Sequence, residues 1–124
     1  MDIQFSVING SQVPIYKQLL DKLASQIILG EVSGQTCLPP IRTVASNLGI
    51  SVITVKRTWE ELERMGLIYT VTGKGCFVCT LSEDKRTCMR EKMAADNLAA
   101  NAPFYKNLGV SKAMMHELID KYFE

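Results

Sequence analysis

No apolar run in these 124 residues approaches the roughly 18 to 20 that a membrane-spanning helix needs, so no membrane partner is expected. A single histidine, His116, has no identifiable partner. Without a Ser/His/acid or Cys/His constellation, or a glycine loop with lysine at P-loop spacing, the chain carries no expected catalytic residue, cofactor or enzymatic activity. An excess of charge of either sign is also missing. Fourteen Lys and Arg against thirteen Asp and Glu leave a formal net charge of +1, so a polyanion partner must be met by cations gathered on one face. The N-terminal "MDIQFSVING" lacks the basic patch and long apolar core of a signal peptide, which predicts a cytoplasmic protein. Four cysteines are present, but Cys76 and Cys79 form their CxxC in a strand-like stretch where residues three apart face opposite ways. No metal site is therefore expected, and the thiols read as reduced and buried or half-buried.

What is present is the composition of a globular chain, 47% hydrophobic and 22% charged, of one ordinary domain or a small domain with an appendage that needs a partner. Pro14 opens a helix through "IYKQLLDKLASQIILGE", with Ile15, Leu19, Leu20, Leu23, Ile27 and Ile28 at helical spacing and Gly30 at its end. A turn-rich stretch up to Pro39 and Pro40 leads to a short helix from Ile41 to Leu48, whose apolar side is Val44, Ala45 and Leu48. Gly49 follows as a left-handed turn residue, and Ser51 caps a helix running to about Met65. "LIYTV" and "CFVCT", separated by "TGKG", then read as a tight hairpin. Helix, helix, glycine turn, helix and hairpin is the order of a winged helix-turn-helix. The predicted fold class is mainly α with a small β-wing.

From Leu81 the character changes. Ser82 caps a helix through "KRTCMREKMAADNLAA"; Asn101, Pro103 and Gly109 mark a break before a last helix capped by Ser111. Met89, Met93, Met114, Met115, Leu118, Ile119 and Tyr122 give these two helices apolar stripes that no remaining chain covers. Burial against a second copy of the protein is expected, dividing the chain into a winged domain (1–80) and a dimerisation tail (81–124). An adaptable ligand pocket is the other use of such methionines.

"LPPIRTVASNLGISVITVKRTWEELERMGLI" followed by "GKGCFV" resembles the N-terminal winged helix-turn-helix of the GntR family of bacterial transcription regulators. The likeness covers roughly residues 12 to 79 in a dozen ordered positions. A tail of only two helices is similar to the short YtrA-like branch, in which those helices dimerise, so the chain is expected to be complete. The resemblance implies a regulator, most simply a repressor, that binds an inverted-repeat operator as a homodimer and answers to an unidentified small-molecule effector. It implies DNA contacts from Arg42, from the front of the recognition helix (Ser51, Val52, Ile53, Thr54, Lys56 and Arg57) and from the wing tip (Gly73, Lys74 and Gly75). The chain departs from the family pattern at Pro40, where a Ser cap is usual, at Cys76 in place of Thr, and at Val52 in place of a frequent Arg.

Helical geometry divides "SVITVKRTWE" without reference to any family. At about 100° per residue from Val52, the residues Val55, Thr58, Trp59 and Leu62 form a core stripe centred near about 295°. Ile53 at about 100° and Arg57 at about 140° fall opposite it, with Lys56 and Thr54 on the flanks. Cations in the front half of a helix oppose its dipole unless an anion lies against them, and an outward Ile53 suits a thymine methyl, which predicts A·T-containing half-sites. Arg42 has a structural alternative in pairing with Glu61 or Glu63. Two further readings stay open: a protein-interaction module contacted through Ile53 and Tyr16, and a thiol redox sensor using Cys76, Cys79 or Cys88.

Overall fold

The computed structural model describes Ile3, residues 6–8, Gly10 and residues 13–123; half of the N-terminal stretch "MDIQFSVING" lies outside them. Its elements are α1 (Ile15–Ile28), α2 (Ile41–Leu48), α3 (Val52–Arg64), β1 (Ile68–Val71), β2 (Gly75–Val78), α4 (Glu83–Asn107) and α5 (Lys112–Tyr122). The expected class, a mainly helical chain with a two-stranded antiparallel wing, is the one observed. Two compact units divide after Arg86. Among the described residues no helix is long and apolar enough to cross a membrane.

The core of the first unit forms where three helical stripes meet. Leu19, Leu20, Leu23, Ala24, Ile27 and Ile28 of α1 are buried, as the periodicity predicts, together with Val44 and Ala45 of α2 and Val55, Trp59 and Leu62 of α3. Leu67, Ile68, Val78 and Leu81 close it from the wing side. Thr58 is the buried polar residue in this core, and its hydroxyl lies 3.0 Å from the Thr54 carbonyl and 3.3 Å from that of Tyr16. A hydroxyl so placed loses little on leaving water, and it fixes α3 against the first turn of α1.

Between α2 and α3 the chain must reverse within three residues. Gly49 does this at φ 67°, a conformation that costs a residue with a Cβ, while its N–H and that of Ile50 close onto the carbonyls of Ser46 and Ala45. The Ser51 hydroxyl then accepts the Thr54 N–H at 3.1 Å. Ser51→Ala is expected to cost about 1 kcal/mol and to lower the melting temperature of the protein by several degrees, measured by thermal circular dichroism, with Ser51→Asp restoring most of it. Pro40, by contrast, caps α2 without any side-chain bond, its carbonyl accepting the Val44 N–H at 3.1 Å.

β1 and β2 pair from Ile68 opposite Val78 to Val71 opposite Gly75, with the rings of Tyr69 and Phe77 stacked 5.7 Å apart. The stretch before α2, read from sequence only as a turn-rich connection, does more than connect. Gln35 N–H donates to the Val78 carbonyl, Val78 N–H to that of Thr36, and Leu38 N–H to that of Cys76 at 2.8 Å, so β2 is bonded along both edges.

From α4 onward the expected elements need correction. Ser82 caps α4 as expected, accepting the Lys85 N–H at 3.2 Å, with Glu83 and Asp84 in the first turn. The expected break at Asn101 and Pro103 is absent, and α4 continues to Asn107. Asn101 turns its amide back onto the Asn97 carbonyl at 2.8 Å instead of ending the helix. Pro103 removes the bond that would reach Ala99, but Ala99 is exposed, where water can satisfy the carbonyl, and the neighbouring alanines favour helix strongly. Gly109 does end the element, and the Ser111 hydroxyl accepts the Met114 N–H to start α5. No residue of α4 or α5 is buried within the single chain.

Cysteine placement is also corrected in part. Cys76 and Cys79 are half-buried, but Cys37 and Cys88 are exposed; all four are free thiols.

Candidate nucleic-acid interface

The outward face of α3 is the one the angles gave. Ile53 is 79% exposed, Lys56 and Arg57 are exposed, and Val55, Thr58, Trp59 and Leu62 are buried beneath them. Val52 sits at the edge at 38%, and Thr54 is half-buried. The hydroxyls of Ser51 and Thr54 are 2.7 Å apart. One bond between them uses one hydroxyl hydrogen, so a donor remains at the front of the helix for an acceptor from outside.

The structural alternative for Arg42 does not form. Glu61 holds Arg64 at 2.7 Å, and the Glu63 carboxylate accepts the Thr70 N–H at 3.2 Å, so both candidate partners are engaged elsewhere. Among the described residues, no ion pair involves Arg42, Lys56, Arg57 or Lys74. Held by no carboxylate among the described residues, these four side chains are free to meet an external anion although the chain's net charge is only +1.

Arg42 and Lys74, distant in sequence, line one groove of about 400 Å³ whose walls include Leu38, Pro39, Ile41 and Trp59. The wing tip that carries Lys74 turns through Gly73 at φ 78° and Gly75 at φ 121°, with the Lys74 N–H on the Val71 carbonyl at 2.9 Å. No atom stands within 4 Å of where a Cβ on Gly73 would lie, so its left-handed backbone and not crowding calls for glycine there.

One participant was missed as such. Tyr16, in the first turn of α1, is half-buried, and the Arg57 guanidinium carbon lies 3.7 Å above its ring centroid. The sequence reading took Tyr16 as an exposed contact residue. Nothing in its local pattern reveals a stack on a residue so far along the chain.

In the tail, Met89, Met93 and Met115 are half-buried, while Met114, Leu118, Ile119 and Tyr122 are exposed. Leu98, Phe104, Leu108 and Phe123 are exposed as well. Phe104 and Leu108 escaped notice because they fall in the stretch read as a break.

Comparison with known proteins agrees with this fold. Residues 15–78, from the start of α1 to the end of β2, match the model of the bacterial regulatory proteins of the gntR family. The chain is 30% identical to the HTH-type transcriptional regulator YhcF of Bacillus subtilis, over 100% of its own length and 98% of that protein's. To the HTH-type transcriptional repressor YtrA of the same organism it is 30% identical, over 88% and 84% of the two chains. Among solved structures, the DNA-binding domain of AraR in complex with an operator aligns with 64% of this chain and 99% of its own, at 27% identity and a TM-score of 0.53. The family model spans the helices and wing that carry the unpaired cations, and the chain belongs to the GntR family of bacterial regulatory proteins.

Proposed function

We propose that the protein is a non-enzymatic, cytoplasmic transcription regulator, most simply a repressor, that binds an inverted-repeat operator as a homodimer. The observation that carries this reading is the exposed front of α3. An apolar Ile53 flanked by Lys56 and Arg57, cations that no acid of the described chain neutralises, suits a major groove with its phosphates and thymine methyls. Arg42 and Lys74 contact the backbone on either side of their groove, and Gly73 and Gly75 keep the tip slender enough to follow a groove. Ser51 and Thr54 offer the spare hydroxyl, and Val52 packs at the helix edge.

Dimerisation follows from α4 and α5. A helix pair with Met114, Leu118, Ile119 and Tyr122 exposed and Met89, Met93 and Met115 only half-buried leaves much of its apolar stripe uncovered, and a second copy with the same stripe covers it symmetrically. The protein-interaction reading loses one of its two anchors, because Tyr16 lies under Arg57.

Selection of bound duplexes from a random pool tests the whole reading. The expected product is a two-fold symmetric site with A·T pairs where Ile53 lands, and Ile53→Ala is expected to relax the preference at that pair roughly tenfold or less. Failure to enrich any sequence would overturn the proposal.

A further inference from the structure

Arg57 is the cation of α3 whose position is set by another element. Its guanidinium carbon stands 3.7 Å over the ring of Tyr16, within stacking distance, while Lys56 has no such support among the described residues. Tyr16 is itself fixed: it is half-buried, and its carbonyl lies 3.3 Å from the hydroxyl of Thr58, the residue after Arg57, sharing that donor with the Thr54 carbonyl at 3.0 Å. Backbone and side chain of the same tyrosine thus hold two consecutive residues of α3.

The chemistry of a stacked guanidinium gives this arrangement a direction. The ring occupies one planar face, and the N–H donors radiate from the edge, so stacking leaves hydrogen-bonding capacity free while restricting the side chain to few rotamers. An unrestrained arginine loses roughly 2 kcal/mol of rotamer freedom when it is immobilised, and part of that loss is already incurred here before any partner arrives.

We propose that Tyr16 is a positioning residue for DNA recognition: its ring presents the Arg57 donors edge-on to the operator, so that α1, outside the helix-turn-helix itself, helps set affinity. This rests on the reading of α3 as the DNA-contacting helix. The opposite arrangement, in which Tyr16 parks Arg57 away from DNA, predicts the opposite sign and is separable by experiment.

The test uses the full chain and a duplex obtained by the selection described above. Tyr16→Phe keeps the ring and is expected to bind within about twofold of the unaltered protein, whereas Tyr16→Leu is expected to weaken binding roughly three- to tenfold. In an Arg57→Ala background, Tyr16→Leu is expected to have no further effect, because the two act as one unit. Should Tyr16→Leu unfold the protein, Tyr16→Phe alongside Arg57→Lys serves instead. Lysine keeps the charge but not the planar fork, so its binding should fall while that of the Phe variant does not. Tighter binding by Tyr16→Leu, or the same loss from Tyr16→Leu with and without Arg57→Ala, would overturn the inference. Those results would leave the regulator reading intact if Arg57→Ala alone still weakened binding. Loss of DNA binding by the unaltered protein would instead remove the reading on which the inference rests.

Discussion

Replacing Lys56 and Arg57 together by alanine is expected to weaken operator binding a hundredfold or more near physiological salt, with the fold intact. Each charge-assisted bond to DNA contributes roughly 1.5–3 kcal/mol, and two are lost from each half-site. Because neutralised phosphates release counterions, the slope of log affinity against log salt should become shallower by about two units per half-site. The stability side of the change is small. Both residues are exposed and free of ion pairs among the described residues; what is lost is the Arg57 stack on Tyr16, about 0.5–1 kcal/mol at such a site. Affinity measured by fluorescence anisotropy across a salt series, with thermal unfolding alongside, checks both halves. An unchanged slope would remove α3 from the interface.

Leu62→Ala should do the reverse, striking stability first. Leu62 is fully buried on the α3 face that meets α1, and truncation leaves a cavity in a core with little else to fill it. The expected cost is about 2–5 kcal/mol. Against a total of about 5–15 kcal/mol for a domain of ordinary stability, that is a large fraction. At roughly 4–8 °C per kcal/mol for a unit of this size, the melting temperature should fall by more than about 8 °C. Below the new transition the operator affinity should stay near that of the unaltered protein, since Leu62 lies on the opposite face of α3 from Ile53. Calorimetry and a binding isotherm at low temperature separate the two effects.

The sequence was most legible where local rules and tertiary packing agree. The face of α3 could be derived because a thirteen-residue helix has one period, and Val55, Thr58, Trp59 and Leu62 obey it. The two turns around Gly49 and Ser51 were readable for the same reason: their chemistry is complete within four residues. What could not be read depends on partners distant in the chain. The bonding of Gln35, Thr36 and Leu38 to β2 follows no alternation in that short stretch and is decided by where α2 docks. Tyr16 beneath Arg57 is of the same kind. Pro103 failed for a different cause: proline is a strong breaker on average, yet an exposed turn among alanines tolerates the loss of one bond. For the interface, the α3 candidates and Lys74 were visible as residue types, whereas the convergence of Arg42 and Lys74 on one groove required the fold.

The double-edged bonding of β2 has a mechanical consequence. A hairpin held only at its root swings like a tongue, and ordering it on contact with a ligand costs conformational freedom at the moment of binding. Here Leu38 and Thr36 clamp the second strand from the side away from β1, so a load applied at Gly73 is carried into the loop that begins α2. The wing behaves as a braced beam, and most of the disorder that a free hairpin would surrender on docking has already been given up in folding.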